Sequence, residues 1–209
     1  MNKILIVGAG GFGREALECC IDVIKGTGRI ISGFLDDNPN ALKGCNLDVN
    51  VLGTISDYNP KLDEICVLAI GKPVLRKKVF EQLKNKGAHF MTLAHPTAYI
   101  SPSADIGEGT ILCPFSSVST HAKIGVGVLL NFYANVGHDA VVGNFTVMNV
   151  HSNVNGFSEL EECVFLGGHS VVLPRVKVGA RAKIGAGSTA MRNVKSEMTV
   201  VGVPAQKFL

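Results

Sequence analysis

Residues 135–154 read NVGHDAVVGNFTVMNVHSNV. Val136, Val142, Met148 and Val154 recur every six positions, and Ala140, Thr146 and Ser152 each follow four residues after an aliphatic one. No helix repeats in six, and a simple strand repeats in two. The register extends outward from Ile100 to Ala190. Fifteen of those sixteen positions are Ile, Leu, Val or Met, and all sixteen positions four residues later are Ala, Ser, Thr or Val. Gly follows the aliphatic residue in seven units, where a turn is expected to need it. Such a repeat fits a triangular β-solenoid in which each unit is one short strand plus a corner. Three units close one coil, so residues 18 apart stack. Coils are hydrogen-bonded at about 4.8 Å, so five coils and one extra unit span roughly 25 Å.

The first half has a different pattern. Residues 3–8, KILIVG, read as a buried strand leading into GAGGFG, residues 8–13, a G-x-G-x-x-G match at Gly8, Gly10 and Gly13. A helix is predicted over 14–25, a strand over 29–35 ending at Asp36-Asp37, and a strand over 64–70 ending in Gly71. A helix over 73–86 and a strand near 88–93 follow. The alternation predicts a small half-Rossmann-like parallel α/β domain over 1–94 and a solenoid domain with a C-terminal tail over 95–209. Glycines at a helix N-terminus suit a phosphate, and the acidic pair could accept hydrogen bonds from a ribose or a base. The fingerprint alone leaves open a dinucleotide such as NAD, a nucleotide sugar, or a purely structural glycine turn.

Composition narrows the classes. The 209 residues are 46% hydrophobic and 18% charged, with 24 Gly and no Trp, which suits a globular fold of many tight turns. A net charge of +3 with no basic run gives no reason to expect nucleic acid as a partner. The six Cys form neither a CxxC pair nor a disulfide framework. The N-terminus offers no signal-peptide core and no apolar run reaches the ~18 residues of a membrane span, so a cytoplasmic protein without membrane insertion is expected.

The GAGGFGRE opening, the LAHPTAYI linker, the hexapeptide run and the VVGVPAQKF tail together resemble the family of sialic-acid O-acetyltransferases and nucleotide 4-amino-sugar N-acetyltransferases. The resemblance covers essentially the whole chain. It implies that the solenoid is a left-handed parallel β-helix, that the protein is a homotrimer with sites between neighbouring prisms, and that acetyl-CoA is the co-substrate. It places a catalytic His and its acidic neighbour on His138 and Asp139, and an oxyanion-binding backbone amide on Gly156. Nucleotide-sugar contacts fall on Gly8, Ala9, Gly10, Asp36, Asp37 and Gly71, and an amino-sugar contact on Asn131. Acetyl-CoA contacts fall on Gly168 and Ala186. At Val147 the chain departs from a family member that has a His touching the acetyl end.

The residues suit that chemistry. Acetyl transfer needs a proton acceptor for the nucleophile, close approach of the thioester, and a donor for the oxyanion. An imidazole accepts a proton near neutrality, and a carboxylate can hold one tautomer. Gly156 lies one coil from His138, and its missing side chain leaves room for a thioester. His151 and His169 are also 18 apart and are expected to stack, as structural or cofactor-lining residues. His89, His95 and His121 read as linker or solvated-corner residues. No close H-x4-H pair is present, so no metal is expected. The expected reaction is acetylation of the 4-amino group of a UDP- or dTDP-linked 4-amino-4,6-dideoxy sugar. Sugar or sialic-acid O-acetylation, and a non-enzymatic nucleotide-sensing scaffold, are the competing readings.

Overall fold

The computed structural model describes residues 2–208. The first domain is a four-stranded parallel sheet built from β1 (Lys3–Val7), β2 (Ile30–Leu35), β3 (Val51–Gly53) and β4 (Glu64–Leu68), in the order β3-β2-β1-β4. Helix α1 (Gly11–Ile24) packs Ala16, Leu17 and Cys20 with Ile4, Ile6 and Phe34. Helix α2 (Pro73–Asn85) packs Val79, Phe80 and Leu83 with Leu5, Val7 and Leu68. Successive β1 side chains thus alternate between the two clusters, as the two faces of a strand require.

Three expectations for this half change. α1 starts at Gly11 rather than Arg14, because the glycine loop winds directly into the first helical turn and Arg14 N–H donates to Gly10 O at 3.2 Å. The short strand β3 was not anticipated from its VLG sequence. The strand expected near 88–93 is a single bridge between Cys66 and Phe90. Beyond it β5 (Leu93–Ala94) pairs with Ile111–Leu112, so it already belongs to the solenoid.

From Tyr99–Ile100 to Thr189–Ala190 a two-residue strand occurs every six residues, and each up to Val171–Val172 pairs in parallel with the strand 18 residues on, while Lys183–Ile184 pairs with Thr199–Val200. Three flat faces result. The first runs from β5 through Leu129–Leu130 and Lys183–Ile184 to Thr199–Val201. The second runs from Tyr99–Ile100 to Thr189–Ala190, and the third from Asp105–Ile106 to Lys177–Val178. Each strand's second residue points inward, and Leu112, Val118, Ile124, Leu130, Val136, Val142 and Met148 make one buried column.

The corners carry a second period of six. Phe115, His121, Tyr133, Asp139, Phe145, His151, Phe157, Cys163, His169, Arg175 and Arg181 all have φ between 56° and 62°, and Gly109, Gly127 and Gly187 complete the series. Each non-glycine residue held there costs roughly 1 kcal/mol, which stacked hydrogen bonds and core burial offset. The seven glycines after the aliphatic positions are therefore not the left-handed turn residues. They serve close approach instead: a Cβ on Gly137 would lie 2.7 Å from the Gly156 nitrogen in the next coil.

The α/β domain lies on the first face. Ile111, Leu129 and Val147 of that face join the α1 cluster, while Phe145 and Cys163 of the adjoining corner join the α2 cluster. Phe80 stacks on Phe90 at 4.3 Å and meets Phe145 edge-on at 5.3 Å. Lys77 pairs with Glu162 at 2.7 Å across the joint.

Candidate active site

The predicted residues fall into three groups on the molecule. The first is a corner between the second and third faces. There His138 Nδ1 lies 2.9 Å from Asp139 Oδ2. Adjacent residues can meet this way because Asp139 is left-handed, with φ 56°, which swings its side chain back alongside the ring. The carboxylate accepts from Nδ1–H, so the tautomer leaves the Nε2 lone pair facing out. His138 is exposed enough for a substrate to reach that nitrogen. Beneath the ring lies Gly156. A Cβ there would sit 2.7 Å from His138 Nε2 and Cε1, so only glycine fits under the imidazole as placed. The Gly156 N–H has no acceptor among the described residues, whereas its carbonyl accepts from Arg175 N–H at 3.2 Å. A lone-pair nitrogen and an unpaired amide thus sit on one corner, one coil apart.

Two residues of this corner were missed. Phe157 meets the His138 ring edge-on at 5.1 Å, and the Arg175 guanidinium lies 4.9 Å over the Phe157 ring. The 18-residue spacing from Asp139 would have found both.

The second group lies on the corner between the first and second faces. Asn131 is buried there, with Oδ1 accepting from Phe132 N–H at 2.7 Å. Gly168 and Ala186 stack lower on the same corner. Beside them Phe115, Tyr133, His151 and His169 form a ladder, with centroid spacings of 5.1, 4.7 and 4.7 Å. His151 and His169 stack as expected; Tyr133 and Phe115 extend the ladder and were missed. Asn131 and His138 sit at opposite ends of one face, about 20 Å apart along the chain at ~3.3 Å per residue. One chain therefore does not bring them together. Val147 is also on neither corner. It is fully buried between the first face and the α/β domain, so its side chain offers no surface to acetyl-CoA here.

The third group is the C-terminal edge of the small sheet. Gly8 has φ +101°, and a Cβ on it would lie 2.8 Å from Ala69 O. Gly13 lets α1 close onto Gly8 O. Gly10 and Gly71 have open space where a side chain would be, which leaves the loop accessible. Asp36 accepts from Ala9 N–H at 2.7 Å and Asn38 N–H at 2.8 Å, while Asp37 accepts from Ile55 N–H at 2.9 Å. The acidic pair thus also shapes the glycine loop and the next turn, a role the expected ribose or base contact did not include. Gly8, Asp36, Asp37, Asn38, Ile55, Ile70, Leu75 and Val79 line a 480 Å³ cleft.

Other chemistries find less support. Among the described residues no three His, Cys, Asp or Glu side chains converge as metal ligands would. Burial pushes the Cys20 and Cys66 thiols up to about 12, which disfavours the nucleophilic thiolate. Among the described residues no helix is long and apolar enough to cross a membrane.

The hexapeptide prism with a corner His–Asp pair above a bare glycine fits the hexapeptide-repeat acetyltransferases that the sequence resembles. The PglD N-terminal domain family matches residues 3–83. UDP-N-acetylbacillosamine N-acetyltransferase of Bacillus subtilis strain 168 is 31% identical over 114 residues, 54% of this chain and 51% of that protein. The chain thus spans about half the length of that curated relative. The acetyltransferase domain of PglB from Neisseria gonorrhoeae FA1090, in complex with acetyl coenzyme A, superposes with a TM-score of 0.90 at 28% identity over 99% of both chains. PerB from Caulobacter crescentus, in complex with CoA and GDP-perosamine, superposes with a TM-score of 0.89 at 26% identity, covering 100% of this chain and 98% of that one. The chain is thus similar in sequence to a UDP-sugar N-acetyltransferase, and in fold to an acetyltransferase domain in complex with acetyl coenzyme A.

Proposed function

We propose that this protein transfers the acetyl group of acetyl-CoA to the amino group of a nucleotide-linked amino sugar, with His138 as general base. The observation that carries the reading is the His138 corner: an oriented imidazole above a glycine whose amide is unpaired. The sugar amine attacks the thioester carbonyl. His138 Nε2 takes a proton from the attacking nitrogen, while Asp139 holds the tautomer and stabilises the imidazolium. The Gly156 N–H donates to the oxyanion of the tetrahedral intermediate. Collapse breaks the C–S bond and releases CoA, whose thiolate takes up the proton held by the His138 imidazolium and so restores the neutral base.

The α/β cleft would hold the nucleotide, its phosphates on the glycine loop at the N-terminus of α1. Gly168 and Ala186 would line the path of acetyl-CoA, and Asn131 would approach the sugar. Because Asn131 and His138 occupy different corners of one prism, a homotrimer that sets one subunit's His138 corner against its neighbour's Asn131 corner would complete the site. The proposed acceptor is a UDP- or dTDP-linked 4-amino-4,6-dideoxy sugar, acetylated at its 4-amino group in the cytoplasm. The Bacillus relative's name carries a UDP sugar, and the Caulobacter structure holds a GDP sugar. A panel of bases therefore tests the finer part. The Bacillus relative is named an N-acetyltransferase, which favours nitrogen over oxygen as the acceptor.

His138→Ala tests the mechanism. Loss of a positioned base should cost about 10²–10⁴-fold in kcat with acetyl-CoA affinity nearly intact. Unchanged turnover would remove His138 from the role.

A further inference from the structure

Arg76, near the start of α2, is the largest fully buried side chain of the protein's described residues. Among the described residues no carboxylate is a hydrogen-bond partner of Arg76, and none forms a salt bridge with it. Its Nε donates to Gly127 O. Nη1 donates to Leu68 O and, at 3.0 Å, to Ile70 O. Nη2 approaches Val128 O at 3.4 Å and Gly109 O at 3.5 Å. Burial pulls the guanidinium down to about 9, so it remains charged at neutral pH. A buried charge is costly unless its donors are met, and here only backbone carbonyls meet them.

Those carbonyls belong to both domains. Leu68 ends β4, and Ile70, two residues beyond it, lines the cleft proposed for the nucleotide. Leu75 and Val79, also lining it, flank Arg76 on α2. Gly109, Gly127 and Val128 lie on the prism, where Val128 leads through Leu129–Leu130 into Asn131. Gly109 and Gly127 are left-handed corners without a side chain, and a Cβ at Gly109 would already press on Phe80 at 3.1 Å. The other charged side-chain ties across this joint, Lys77–Glu162, Lys84–Glu108 and His95–Asp22, each have a partly exposed partner and are weak by comparison. Five donors in a rigid plane suit such a cage, which an ammonium could fill only in part.

We infer that Arg76 is a positioning residue: it fixes the nucleotide cleft to the prism edge that carries Asn131, and so sets where a bound sugar's amino group is presented. This rests on the proposed function, because only a ligand that spans both domains would feel the alignment. The cleft and the prism would each bind their own ligand without it.

The test uses the full chain with Arg76→Lys, and Gly109→Ala as a second perturbation that crowds the joint while leaving the guanidinium in place. UDP, GDP and CoA affinities are measured separately by calorimetry, and kcat is measured with both substrates saturating. Both variants are expected to bind nucleoside diphosphate and CoA within about twofold of the unsubstituted chain. Their kcat is expected to fall tenfold or more, because a shift of about 1 Å at the reacting atoms can cost ~10²-fold. Unchanged kcat in folded variants would overturn the inference. So would ligand affinities and kcat that fall in step, which would mark Arg76 as a stabiliser of the fold only. If the unsubstituted chain binds no nucleoside diphosphate, the proposed function fails instead, whatever the variants do.

Discussion

Gly156→Ala separates the position of the imidazole from the identity of the oxyanion donor. Alanine keeps the backbone N–H, and Gly156 does not have the positive φ that would strain a side chain. The added methyl would lie 2.7 Å from His138 Nε2 and Cε1 and 3.1 Å from Cδ2, where ordinary contact begins near 3.4 Å. The ring must therefore retreat by about 0.7 Å. It can do so cheaply, because the His138 side chain is 56% exposed. Displacements of this size cost roughly 10–100-fold in rate, about 1.4–2.7 kcal/mol of transition-state stabilisation. The expected outcome is a kcat reduced by that factor, a thermal midpoint within about 4 °C of the unsubstituted chain, and an acetyl-CoA affinity that changes little. A chromogenic thiol trap that follows CoA release gives kcat, and calorimetry gives the affinity. In a His138→Ala background the same substitution should cost nothing further, since the ring it displaces is gone. A Gly156→Ala variant with full kcat would refute the placement of base and thioester. A second full loss on top of His138→Ala would show that Gly156 acts independently of the ring.

Asp36→Ala should raise KM for the nucleotide sugar by about 5–150-fold, because two loop N–H groups lose their acceptor at roughly 1–3 kcal/mol; steady-state kinetics with acetyl-CoA saturating measure it. Gly13→Ala should destabilise the α/β domain by about 1–3 kcal/mol, as its Cβ would overlap Gly8 O, and denaturant unfolding would show it. Asn131→Ala and His138→Ala chains, each impaired alone, should regain part of the activity when unfolded and refolded together, because some mixed trimers would pair an intact His138 corner with an intact Asn131 corner. A mixture no more active than its components would argue for sites built within one chain.

The prism was legible because its core is a column with a period of six, and Val136, Val142 and Met148 stand in that column as their spacing required. The stacking of His138 over Gly156 and of His151 over His169 followed from the same arithmetic. The glycines were misread for a physical reason. Six-residue spacing shows where small residues recur, but not whether a glycine answers to φ or to a neighbouring coil. The φ burden falls two residues later, on residues as unlike as Phe145, Cys163 and Arg181, which no composition rule would select. Val147 could not be placed because its first-face position looks like any other outward residue until the α/β domain covers it. Arg76 was silent too. In the sequence it is one cation in the run RKK, and nothing local separates a buried guanidinium from the solvated lysines beside it.

The central claim is tested most directly by incubating the protein with acetyl-CoA and a panel of UDP-, dTDP- and GDP-linked 4-amino sugars, following thiol release and the mass of the sugar product. The account predicts stoichiometric CoA release with an N-acetylated nucleotide sugar for at least one member, lost by about 10²–10⁴-fold in His138→Ala. No product with any of them, or a product formed equally well by His138→Ala, would contradict it.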